Sequence, residues 1–139
     1  MTDTVLHHNE SPAVDFNDAV KLFYKKYAVF NGRASRAEYW YPALFIFTIT
    51  LALGITGAVF GLFSTSLQTI FGVVSLLFSL STFVPSLAVM VRRFHDIDRS
   101  GWWSLIIFIP LIGFIVFIVW VCKRGTFGPN RFGPDPLAL

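Results

Sequence analysis

The stretch VRRFHDIDRSGWW, Val91 to Trp103, packs three arginines, two aspartates and a histidine between two long apolar runs. Arginines so close together suit phosphate, because a guanidinium fork donates two parallel hydrogen bonds to one anion. A second polar block, NGRASRAEYWYP from Asn31 to Pro42, adds Arg33, Arg36 and Glu38. With Arg92, Arg93, His95, Asp96 and Arg99, these residues form the candidate site. The expected ligand is an anionic lipid head group or a partner protein. A plainer reading explains most of the same residue types. Arg92 and Asp96 stand four apart, a helical ion-pair spacing. Asp98 or Ser100 can cap the helix that follows, and Trp102 and Trp103 can anchor it at an interface.

Other chemistries fit less well. His95, Asp96, Asp98 and Glu38 could supply metal donors, but successive positions on one helix point apart. Ser100 has no general base at a recognisable spacing, and no zinc, phosphate-loop or nucleophile-elbow pattern occurs. His7, His8 and Glu10 lie in a loose polar tail and define no site. We therefore expect no enzyme activity, no catalytic residue, no metal and no cofactor.

The elements that must position the collar are membrane helices. Hydrophobic residues make up 55% of the 139 residues and charged residues only 14%, against about 25% charged in a soluble domain. The 53 positions between Glu38 and Arg92 are all uncharged, as are the 22 from Gly101 to Cys122. One helical span takes about 20 residues, so the first run holds two spans with a tight turn and the second holds one. The fold class expected is an all-α integral membrane protein. Its three transmembrane helices run over 41–62, 67–91 and 102–122. The first two form an antiparallel hairpin, and the third is kinked by Pro110 in IPLIG. A half-membrane hairpin is the alternative for that third segment.

Residues 1–14 read as a flexible tail, and 15–139 as a single membrane domain. Over 15–30, Phe16, Ala19, Val20, Phe23, Tyr24 and Tyr27 recur at three and four with lysines opposite. That pattern predicts an interfacial amphipathic helix. Asn31-Gly32 breaks it, Tyr39, Trp40 and Tyr41 mark an aromatic belt, and Pro42 falls in the first turn of span one. Residues 123–139 form a turn-rich tail in which FGPN is followed five residues later by FGPD. No apolar stretch before Glu38 resembles a cleavable signal. The sole cysteine, Cys122, forms no intrachain disulfide.

Spans one and two each carry a seam of small and hydroxyl residues. Gly54, Gly57 and Gly61 mark the first, and Gly72, Ser75, Ser79 and Thr82 the second. Close backbone approach is what drives helix pairing where lipid is as apolar as leucine, so we read the seam as packing. The alternative is a water path in a small oligomeric channel or transporter. With three full crossings, eight Lys and Arg gather on the N-terminal side and three with the tail. The positive-inside rule then puts the N-terminus in the cytoplasm. Expected partners are membrane lipids, anionic ones above all, and a second copy or another membrane protein; nucleic acid is not among them.

FNGRASRAEYW before span one, RRFHDIDRSGWW before span three, IPLIG within it and the closing CKRGTFGPNRFGPDP together resemble the family catalogued as domain of unknown function 805. The resemblance covers Phe30 to Pro136. Phe94 stands where the family often has Leu, and Ile97-Asp98 where Thr with Gly or Asp is common. It implies a small protein of the bacterial inner membrane, multi-pass, and implies no activity.

Overall fold

The computed structural model describes residues 14–137; His7, His8, Glu10 and nearly all of the expected tail lie outside them. Among the described residues, four α-helices and one 3-10 helix follow one another. Helix α1 is Phe16–Lys25, capped by Asp15, whose carboxylate accepts the Asp18 N–H. It is shorter than the 15–30 expected, and its aromatic face is divided. Ala19 and Phe23 are buried in the protein, Phe23 against Ala34 and Val89, while Phe16, Tyr24 and Tyr27 remain partly exposed.

Helix α2 spans Arg36–Gly61 and starts five residues earlier than the apolar run suggests. The cause is local: Ser35 accepts the Glu38 N–H while Glu38 accepts the Ser35 N–H, a reciprocal capping box. Pro42 is consequently the seventh helical residue and not in the first turn. Leu62 to Ser64 turn the chain, and Ser64 caps α3, Thr65–Asp96. At 1.5 Å per residue α2 and α3 run about 39 Å and 48 Å. Both are long and apolar enough to cross a hydrocarbon core of about 30 Å.

The hairpin closes on part of the expected seam. Gly57 is buried, and a Cβ there would stand 3.0 Å from the Phe71 side chain; one on Gly61 would stand 2.9 Å from Gln68. Phe60 stacks on Phe71 at 5.5 Å, and Phe45 meets Phe78 at 6.4 Å. Thr82 is buried, whereas Gly54, Gly72 and Ser79 are exposed. Two of the seam hydroxyls bond within their own helix: Ser75 donates to the Phe71 carbonyl and Thr82 to the Phe78 carbonyl.

The third segment corrects the expectation of a continuous kinked helix. It is a 3-10 helix, Gly101–Phe108, and then α4, Ile112–Cys122. Each piece is about 16 Å long, half of what a crossing needs. Between them Ile109 is extended and Leu111 sits at φ 60°, so the chain reverses around Pro110. The reversal keeps its backbone bonded: the Gly113 N–H donates to the Ile109 carbonyl and the Ile112 N–H to that of Pro110. Gly113 lies directly on the Ile106 carbonyl, where no Cβ fits. Trp103 and Trp120 then meet edge to face at 5.7 Å, one on each leg. Ser100 caps the entry by accepting the Trp102 N–H. The entry and exit both rest on the last turns of α3: Gly101 against Val91, Gly125 against Asp96.

The tail therefore shares an end with Arg33 and Asp96, not with the Leu62–Ser64 turn. Single cysteines at Asn17, Phe63 and Pro134 in a Cys122→Ser background test this. An impermeant maleimide should reach Asn17→Cys and Pro134→Cys from one side of sealed vesicles and Phe63→Cys from the other. Labelling of Pro134→Cys together with Phe63→Cys would disprove the reversal.

Candidate functional site

A buried carboxylate organises the collar. Asp96, on the last turn of α3, receives Arg33 through Nε at 2.9 Å and Nη2 at 2.8 Å, both on Oδ1. Arg93 pairs with the other oxygen, Oδ2. The side chains of Arg33, Arg93 and Asp96 are 1%, 0% and 4% exposed, so no bulk water screens the contact. The helical spacing that suggested Arg92–Asp96 picked the wrong neighbour. Arg92 instead turns toward Glu38, 4.0 Å away, and its Nη1 is buried without a hydrogen-bond acceptor.

Two guanidinium groups offer more donors than one carboxylate can take, and the remainder are taken by backbone carbonyls. Arg33 Nη1 donates to Gly128 O at 2.7 Å, and Nη2 to Thr126 O at 2.7 Å. Arg93 Nε donates to Val121 O at 3.0 Å, and its Nη2 to Lys123 O. Arg93 Nη1 also reaches Ala34 O at 3.4 Å. The exit of the reversed segment and the start of the tail are thereby clamped to α3 and to the Gly32–Ser35 connection. We refer to this arrangement as the clasp.

The tail is shaped to receive it. Gly125 lies against the Asp96 carboxylate with no room for a Cβ. Gly128 and Gly133, one from each FGP repeat, adopt φ of 69° and 139°, a region that side chains disfavour. Asn130 donates to His95 O and to Thr126 Oγ1, both at 2.9 Å, and accepts the Phe132 N–H. Phe132 stacks flat on the His95 ring, centroids 3.8 Å apart, and His95 Nδ1 is 3.1 Å from Gly32 O. Asp135 accepts the N–H groups of Leu137 and Gly128. The Leu137 bond, then the Gly128 bond and the nearby Arg33 and Arg124 charges, hold the Asp135 carboxyl below its ordinary 3.8 against the opposing effect of burial.

Of the residues singled out from sequence, Arg33, Arg93 and Asp96 thus meet, and His95 joins them through the tail. Glu38 and Arg92 form a second pair beside them. Arg36 is exposed and Arg99 is stacked over Trp120 at 4.2 Å and Trp103 at 5.4 Å. Sequence reasoning missed Gly125, Thr126, Asn130 and Asp135; the repeated FGP turns were their only signal. Asp98 binds Arg131 of the tail at 3.2 Å.

Asp96→Asn should leave buried Arg93 without a counter-charge and Arg33 with only Asp135, 3.8 Å away, at a cost of about 3–5 kcal/mol. The expected readout is a lower melting temperature in detergent with faster tryptic cleavage at Arg131; wild-type behaviour in both would refute the clasp. Because Asp135 titrates below 3.8, its contribution is complete above that pH and is lost as pH falls through the lower folded-state value. Protection of the Gly128 and Leu137 amides from hydrogen exchange should follow the same course.

The family model described as Protein of unknown function (DUF805) matches residues 27–134, which contain every element of the clasp except Asp135. "Inner membrane protein YhaI" of Escherichia coli strain K12 is 44% identical over 112 residues, 81% of this chain and 89% of the relative. "Inner membrane protein YhaH" of the same strain is 42% identical over 112 residues, with 81% and 90% covered. No solved structure matches. The matched region covers well over half of this sequence, and the chain belongs to the DUF805 family.

Proposed function

We propose that the chain is a non-enzymatic, multi-pass component of the bacterial inner membrane whose exposed cytoplasmic cations gather anionic lipid head groups. In this reading α2 and α3 cross the bilayer, and the Gly101–Cys122 segment dips in from the cytoplasmic side and returns. The names of the relatives support the membrane. The placement of charge supports the orientation. All 11 Lys and Arg lie on α1, the α1–α2 connection, the start of α2, the end of α3, the connection from α3 to the 3-10 helix, or the tail, and the Leu62–Ser64 turn has none. Such a bias marks the cytoplasmic side.

The observation that carries the function is the division of these cations. Arg33 and Arg93 are closed inside the clasp, so they offer nothing to a ligand. Among the described residues, Lys25, Arg36, Arg99 and Lys123 have no carboxylate partner within 4.0 Å. Each such charge near an anionic leaflet is worth about 1 kcal/mol. These four, not the whole collar, are the head-group contacts.

The four tryptophans give a direct readout. Brominated phosphatidylglycerol should quench their fluorescence at least fivefold more effectively, per lipid, than brominated phosphatidylcholine does. Changing Lys25, Arg36, Arg99 and Lys123 together to Gln should abolish that preference with the helical circular dichroism retained, although losing the Arg99 stack on Trp103 and Trp120 lowers the melting temperature somewhat. A preference that survives the change, or none in the wild type, overturns the reading.

A further inference from the structure

One cavity lies where an unpaired cation, interfacial aromatic rings and the end of the reversed segment come together. It has a volume of about 500 Å³, opens to the outside, and is bordered by Ser35, Arg36, Trp40, Tyr41, Cys122 and Leu137. Among the described residues, no acidic residue lines it. Arg36 is exposed at its edge on the first turn of α2, and Lys123 follows Cys122 directly. The walls are mostly apolar, and Trp40 is partly exposed. Tryptophan at this depth favours the boundary between head group and chain.

We propose that this cavity seats a single anionic phospholipid, with its phosphate on Arg36 and the upper part of an acyl chain along Trp40 and Tyr41. The proposal rests on the head-group reading above and gives it an address. Charge complementarity identifies the occupant. Arg36 has lost the competition for carboxylates: Asp96 and Asp135 serve Arg33, Arg93 and Arg124, while Glu38 faces Arg92 and Lys26. Its fork is left facing a concave, apolar site at the charged end of the molecule. A phosphodiester on a lipid meets both demands at once, because it brings the anion and the apolar body together. Free phosphate meets only the first.

Cys122 is the only cysteine and forms part of the wall, so it reports occupancy without a foreign probe. The rate of its modification by a neutral maleimide is measured in nanodiscs of phosphatidylcholine alone and of phosphatidylcholine with one third phosphatidylglycerol. Wild type should react at least threefold more slowly in the anionic discs, and Arg36→Gln should react alike in both. A control cysteine, Ala28→Cys in a Cys122→Ser background, corrects for the effect of surface potential on any thiol. Inorganic phosphate added to the neutral discs should change nothing; protection by phosphate alone would replace the lipid with a soluble anion. Equal protection in Arg36→Gln, or no protection beyond the control, overturns the seat. If quenching by brominated phosphatidylglycerol still depends on the four unpaired cations, the broader reading stands without it. If that preference is also absent, both fall.

Discussion

The carboxylate of Asp96, held between two buried arginines, is the constraint from which the rest of the molecule follows. A charge removed from water must be paired and hydrogen-bonded, or the fold loses several kcal/mol. Here one anion faces two cations, and both remaining forks must end on oxygen. Carbonyls of residues 121 to 128 supply it. A buried ion pair adds little net stability compared with a well-packed apolar substitute. Its effect is on register, since the donors tie α3, the Gly32–Ser35 connection and the tail to one another.

That register decides what the apolar run from Gly101 to Cys122 can do. Its first residue is packed on Val91, and the residues just beyond its last are tied to Arg93 and Asp96. Two ends fixed at one place cannot belong to a segment that crosses and stays across. The run therefore turns, and Pro110 with Leu111 provides the place where helical hydrogen bonding stops at the least loss. Non-helical backbone in so apolar a segment needs its polar groups bonded locally. The reversal meets that demand through short turn bonds and through Gly113 packed on the Ile106 carbonyl.

Much of this was legible in the sequence, and the failures share a cause. The uncharged run of 53 residues announced two long helices, and its small residues at Gly57 and Gly61 announced where they touch. The start of α2 was also written locally, as Ser-x-x-Glu at Ser35 to Glu38, but the apolar boundary at Tyr41 was the stronger signal and misled. What composition cannot give is partner choice across long separations. Arg33 and Asp96 are 63 positions apart, and a helical spacing of four made Arg92 look like the partner. A count of 22 apolar residues is equally silent on whether the segment crosses or returns. The three tail cations, Lys123, Arg124 and Arg131, were the usable clue, because three full crossings part them from the other eight and reversal puts them together.

Charge bias in a small membrane protein thus has two separate origins, and they make different surfaces. Arg33, Arg92 and Arg93 sit at one end because the fold needs cations there to bind carboxylates and carbonyls, and burial makes them inaccessible. Lys25, Arg36, Arg99 and Lys123 sit at the same end without such a need, and nothing in the described fold neutralises them. Counting arginines along the sequence merges the two groups, although only the second is accessible. The residues that look most like a phosphate site, the adjacent Arg92 and Arg93, are those least able to meet a phosphate. The outward chemistry of the molecule is set by the cations that its own carboxylates leave over.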